Sequence, residues 1–150
     1  MPEIQRSDTS YGGSGGREFA DDAIPPGSKV VEVQVRAKRR LDAVQITYES
    51  PDGARHPLPQ HGGNGGESHT YTLDRDEYIT GISGRFGARV DSLRIHTSRG
   101  QTSPLFGGGD DGRGGRDDYS IEVPPGHEIV GFYGRSGSEV DRIGVLYRSR

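Results

Sequence analysis

A chain of 150 residues with 29% hydrophobic residues, 25 glycines, no cysteine and a formal net charge of -3 is the size of one domain with its own core. That charge gives no general basic face for nucleic acid, the absence of cysteine excludes disulfides and thiolate metal sites, and no run approaches the ~18 apolar residues of a membrane span. Glycine-rich turns, not disorder, explain the low apolar content, because the apolar residues gather into short β-branched runs.

Residues 1–10 carry little pattern and read as a frayed segment or an added edge strand. Met1–Arg6 lacks the apolar stretch of a secretory signal, so the chain reads as soluble without an export signal. Residues 11–150 read as a single domain. Tyr11 precedes the glycine loop Gly12-Gly13-Ser14-Gly15-Gly16, and the turn Pro25-Pro26-Gly27 follows. Val30 to Val35 alternate like a half-buried strand that ends in a basic run of Arg36, Lys38, Arg39 and Arg40 and resumes beyond Asp42 as Ala43 to Tyr48. No aromatic residue is interleaved with that basic run, which reads as a solvated strand end and loop. His61 then precedes Gly62-Gly63-Asn64-Gly65-Gly66, Glu77-Tyr78-Ile79 starts a strand after an acidic turn, and Asp91 leads into Ser92 to Ile95. Phe106 precedes an expanded glycine loop from Gly107 to Gly115, after which Pro124-Pro125-Gly126, Glu128-Ile129 and Asp141 complete the series.

These features are a repeat. Asp42, Asp91 and Asp141 recur at spacings of 49 and 50, each behind an apolar residue (Leu41, Val90, Val140) and before a strand-like run. Each unit reads as a glycine loop, a strand, a turn, a second strand, an Asp-bearing turn and a further strand, with no convincing helix period. Three small antiparallel sheets around a common axis would let modest apolar content fill a core that no single unit could make. The expectation is an all-β prism or trefoil-like architecture.

A Gly-Gly-x-Gly-Gly loop lets the chain take positive φ and bring main-chain amides into contact with a ligand. An Asp in a neighbouring tight turn adds a fixed double acceptor, and together they complement adjacent sugar hydroxyls, which both donate and accept. Either feature alone is usually a hairpin turn or a local cap. Three pairings in register favour a binding role.

From Tyr11 to Tyr147 the chain resembles the jacalin-related lectins. The matching segments are Tyr11 to Gly16, Asp76 to Ile79, Leu93 to Gly100, and above all Ile129 to Val145, which contains a Gly-x-x-x-Asp motif from Gly137 to Asp141. The resemblance implies a β-prism I fold of three four-stranded antiparallel sheets with internal pseudo-threefold symmetry. It implies a first sugar site in which Asp141 accepts from two hydroxyls and the amides of Gly16, Ser138 and Glu139 donate, with Gly137 and Val140 completing the loop. Cyclic pairing implies a second site from Gly66, Arg39, Arg40 and Asp42, and a third from Gly87, Ala88, Arg89, Asp91 and Gly115. The second turn, Lys38 to Asp42, lacks the leading glycine, and the third glycine loop is lengthened by Asp110 to Arg113. Galactose-binding members of the family are cut within the first loop, whereas Gly12 to Gly16 is continuous here, which implies mannose- or glucose-type glycans. The residue two before each Asp is Arg40, Arg89 or Glu139, so no Tyr stacks on a sugar there and monosaccharide affinity is expected to be weak. The resemblance implies neither metal nor other cofactor, and it admits a homodimer.

Three rival readings are weaker. The five histidines show no zinc spacing and there is no nucleophile elbow or phosphate loop, which argues against an enzyme. Gly107 to Gly115 supplies only one copy of a glycine-aspartate loop, whereas calcium β-rolls stack several. A β-prism with degenerate sugar sites that binds a protein partner is the remaining alternative, because fold does not fix function.

Overall fold

The alternation of β-branched and polar residues carries directly into burial. In the computed structural model, which describes residues 3–150, Val33, Val35, Val44 and Ile46 are buried while Gln34, Arg36 and Gln45 remain partly exposed. The strands are β1 (Gln5–Arg6), β2 (Tyr11–Gly12), β3 (Arg17–Ala20), β4 (Lys29–Ala37), β5 (Leu41–Glu49), β6 (Arg55–Pro57), β7 (His61–Gly62), β8 (Glu67–Thr72), β9 (Ile79–Phe86), β10 (Ser92–Thr97), β11 (Phe106–Gly107), β12 (Asp117–Glu122), β13 (His127–Ser136) and β14 (Val140–Ser149). No helix occurs among the described residues. Of the N-terminal ten, Met1 and Pro2 lie outside the described residues, and Gln5 and Arg6 pair with Tyr147 and Leu146 at a sheet edge.

Each of three antiparallel sheets is centred on one long hairpin: β4 with β5, β9 with β10, and β13 with β14. One strand flanks the first arm of each hairpin, namely β8, β12 or β3. Along the second arm the outer edge is broken in two. It is β6 then β7 on β5, β1 then β2 on β14, and a single bridge from His96 to Thr102 followed by β11 on β10. The expected three four-stranded sheets are therefore present, with β2 and β7 as short fifth members. Near each turn preceding its hairpin, one residue of the first arm, Val31, Thr80 or Val130, is bulged out of register.

The sheets enclose one apolar cluster, in which Phe132, Leu41, Ile46, Ile82, Leu93 and Ile143 are fully buried. The arrangement is a prism and not a trefoil. Its seams explain the aromatic or histidine residue before each glycine loop. Tyr11 stacks on Tyr119 at 5.6 Å between ring centres, His61 on Phe19 at 4.1 Å, and Phe106 meets His69 at 5.2 Å. Asp21, itself buried, holds His61 Nε2 at 2.6 Å and accepts from the Phe132 amide at 3.1 Å. The last sheet is assembled from both ends of the chain, β1 to β3 with β13 and β14. That closure is what carries the first glycine loop to the last Asp.

Candidate functional site

All three glycine loops and all three Asp-bearing turns gather at one end of the prism. The structure brings Gly12–Gly16 together with Asp141, Gly62–Gly66 with Asp42, and Gly107–Gly115 with Asp91. The Gly13 amide donates to the Asp141 carbonyl at 2.8 Å, Gly63 to Asp42 at 3.0 Å, and Gly108 to Asp91 at 2.9 Å. Gly16 and Gly66 take φ of 71° and 68°, and a Cβ there would lie 2.7 Å from Asp141 Oδ2 and 2.5 Å from Asp42 Oδ2. Only glycine supports both that backbone and that approach. At Gly115, with φ 101°, a Cβ would likewise lie 3.0 Å from Asp91 Oδ2.

The three turns have one shape despite their different sequences. Gly137 N–H donates to the Glu139 carbonyl at 2.9 Å, Gly87 to Arg89 at 2.8 Å, and Lys38 to Arg40 at 3.1 Å. Neither Gly87 nor Gly137 has positive φ, so a side chain is accommodated at this position and Lys38 replaces glycine without distortion. Ser138 and Ala88 follow in the first and third turns where Arg39 follows in the second. The lengthened third loop closes on itself through Gly112 to Gly109 (3.2 Å) and Gly114 to Gly108 (2.9 Å), which leaves Gly115 beside Asp91.

Arg36, Arg85 and Arg135 belong to these sites and were missed by the sequence reading, although they recur at the same spacings as the three aspartates. Arg135 donates through Nε to the Gly15 carbonyl at 3.1 Å and through Nη2 to Gly16 at 2.9 Å. Arg36 does the same to Gly65 at 3.0 Å and Gly66 at 3.3 Å. The carbonyl of Gly15 and the N–H of Gly16 share a planar trans peptide and point opposite ways. Holding the carbonyl therefore fixes the direction of the amide. Arg85 departs from this pattern: its Nη2 donates to Gly115 and Arg116 at 3.1 and 3.3 Å, and its Nε is buried without a partner. Arg142 adds a clamp found only at the first loop, donating to the carbonyls of Ser10, Gly12 and Gly13.

The apolar residues before each Asp tie the sites together on the axis. The Leu41 amide donates to Val90 and the Val90 amide to Val140, both at 3.0 Å, and all three side chains are fully buried. Around them the residues two before each Asp form a charged triad, with Glu139 3.3 Å from Arg40 and 3.0 Å from Arg89. The Asp42, Asp91 and Asp141 carboxylates are half-buried, and among the described residues no ion pair engages them; the neighbouring guanidinium groups are turned to carbonyls or to Glu139. Burial pushes all three carboxyls above the usual Asp range. The negative charge of Glu139 adds to this, and nearby arginines (Arg36 and Arg40 at Asp42, Arg40, Arg89 and Arg85 at Asp91, Arg89 and Arg135 at Asp141) oppose it. Among the described residues no three His, Asp or Glu side chains converge as a metal cluster.

Free acceptors beside glycine amides, repeated three times on one prism, have a counterpart among known proteins: residues 9–146 match the Jacalin-like lectin domain. The chain belongs to this family. Horcolin from Hordeum vulgare subsp. vulgare is 36% identical to this lectin over 140 residues, 89% of this chain and 90% of horcolin. Wild-type Malaysian banana lectin superposes with a TM-score of 0.79 at 28% identity over 100% of both chains. AcmJRL, described as a mannose binding jacalin related lectin from Ananas comosus, gives 0.75 at 28% identity over 99% of both. The fold of this lectin is thus β-prism I, and the matching domain and these structural neighbours are lectins, that is, carbohydrate-binding proteins.

Proposed function

We propose that this lectin binds mannose- or glucose-type glycans without a metal ion, at up to three sites formed by Asp141 with Gly16 and Glu139, Asp42 with Gly66 and Arg40, and Asp91 with Gly115 and Arg89. The observation that carries this reading is the set of three half-buried carboxylates without ionic partners, each beside a positive-φ glycine. A carboxylate so placed accepts from two hydroxyls of one sugar while turn and loop amides donate to sugar oxygens. The mannose-binding description of the pineapple relative supports the sugar class.

Because polar sugar contacts largely replace water contacts, one site should hold a monosaccharide at about millimolar Kd, roughly -4 kcal/mol. Three sites on one rigid end raise avidity for a branched glycan by roughly 10² to 10⁴ where their geometry allows joint engagement. Calorimetric titration with methyl mannoside and with a branched mannose glycan, with and without chelator, tests this reading. Chelator-insensitive binding that weakens stepwise in Asp141→Asn and Asp91→Asn is expected. Folded protein that binds neither sugar would overturn it in favour of a protein-binding prism.

A further inference from the structure

The outer faces of the three sheets differ where the repeat would make them alike. Three residues beyond each Asp stand Gln45, Arg94 and Gly144. Gln45 donates through Nε2 to the Leu58 carbonyl at 2.8 Å, and the Tyr133 ring lies where a Cβ on Gly144 would be. Only Arg94 puts a cation at this position. It is half-buried, no ion pair engages it among the described residues, and its Nε is buried without a hydrogen-bond partner. Arg36 and Arg142, also half-buried and without an ion pair, give their nitrogens to loop carbonyls instead. A guanidinium that loses part of its water and gains no acceptor is costly, and such a group calls for a partner from outside the chain.

Arg94 lines a cleft of about 370 Å³ with Arg85, Ser83, Leu105, Gly112 and Asp118. Among the described residues three buried side-chain nitrogens or oxygens lack a hydrogen-bond partner, and two of the three are the Nε atoms of Arg85 and Arg94. The lengthened third glycine loop supplies one wall: a Cβ on Gly112 would lie 3.1 Å from Leu105 Cδ2, so the loop rests on that side chain. Asp91, Arg89 and Gly115 do not line the cleft, which is therefore distinct from the third sugar site. Its one carboxylate, Asp118, pairs with Arg85 Nη1 at 2.9 Å and is 83% exposed. Two guanidinium groups against one solvated carboxylate leave the cleft with a net positive charge.

We propose that this cleft is an oxyanion site, taking a phosphate, sulfate or carboxylate group, with Arg94 as the binding cation and Arg85 beside it. A guanidinium presents parallel N–H donors to two oxygens of such a group, a match that water does not offer. Ser83, bonded to His96 Nε2 at 2.6 Å, adds a hydroxyl to the same wall. Leu105 gives an organic body attached to the anion an apolar surface to pack on.

The test is NMR titration at low salt with inorganic phosphate and with phenyl phosphate, reading the Arg94 Nε–H and the amides of Gly84 and Gly112, with the Gly16 amide as control. Saturable shifts at the first three and none at Gly16 are expected. Arg94→Gln, which installs the residue that the first sheet already carries as Gln45, should weaken the response roughly tenfold, the worth of a charge-assisted hydrogen bond at the low end. Asp118→Asn should strengthen it severalfold by removing a like charge, a gain that misfolding does not mimic. Both variants should leave methyl mannoside titration at Gly16 unchanged, so the anion site and the sugar sites succeed or fail separately. Phenyl phosphate acting at lower concentration assigns the site to an anionic group on an organic molecule, and equal potency assigns it to the free ion; either upholds the site. Absence of saturable shifts, or shifts that persist undiminished in Arg94→Gln, overturns it.

Discussion

Arg36 and Arg135 each hold two successive glycine carbonyls, whereas Arg85 holds a pair shifted one residue along and leaves its Nε unpartnered. If these bonds orient the donor amide, their removal should cost about 1 kcal/mol of sugar binding, or roughly fivefold, at the site concerned. Arg135→Gln is expected to weaken the first site by that amount and Arg85→Gln to weaken the third by clearly less, which site-resolved amide titration would measure. Equal losses would remove the orienting role. The aspartates carry a second prediction. Their folded pKa values are raised by burial, so the carboxylates protonate at higher pH than ordinary Asp. Protonation removes half of the double acceptor, and sugar affinity should fall on acidification beginning above the usual Asp range. The sign for stability is opposite. A raised carboxyl pKa favours the folded state below the unfolded pKa, and this contribution is lost as pH rises through the folded value. Calorimetry across pH 4 to 7, with circular dichroism alongside, separates lost binding from lost fold.

At the level of strands and turns, the period-two alternation of Val30 to Val35 and Ala43 to Tyr48 was legible because each hairpin buries one face. The split outer strands were not legible, since β1, β2, β7 and β11 are two residues long and carry no period. The missing glycine at Lys38 looked like a disturbed turn from sequence, yet that position needs no positive φ, which only the backbone reveals. The arginines that hold the loops were visible in principle, but a surface arginine before a turn has no signature apart from the repeat. The turn before β9 shows a similar substitution of means. Where the others use Pro-Pro-Gly, Asp74 to Glu77 closes with Glu77 accepting from the Asp74 amide at 2.9 Å and from Thr97 Oγ1 at 2.6 Å. Burial alone would push Glu77 up, but these bonds, with Arg99 and Lys29, hold it below the usual Glu range. Its stabilisation is present above the unfolded pKa and lost as pH falls through the depressed folded value. Glu77→Gln should lower stability by about 1–3 kcal/mol at neutral pH and by less in acid, read from denaturant melts at both.

For the whole prism, the threefold repeat was the strongest signal in the chain; the cyclic pairing of each loop with its Asp came from the family resemblance, and its physical cause, a last sheet built from both ends of the chain, is seen only in the structure. The axis makes the three sites mechanically one. Leu41, Val90 and Val140 are bonded in sequence along it, and the Gly13 and Gly63 loops pack directly on the Ala88 and Ser138 carbonyls of neighbouring turns. Val140→Ala should therefore cost roughly 1.5–3 kcal/mol and shift the amides of all three glycine loops, not just the first. Thermal denaturation and a single amide spectrum check both parts.

The pairing of β1 with the far end of β14 has a practical meaning. Gln5 sits opposite Tyr147, which lies six residues along the strand from Asp141, or roughly 20 Å at the usual rise, and Arg150 N–H reaches the Gly126 carbonyl at the turn remote from the loops. A linker or surface tether attached near Gln5 or Arg150 would leave every glycine loop pointing away from the attachment. Copies joined in tandem there would display their loop faces without obstructing one another.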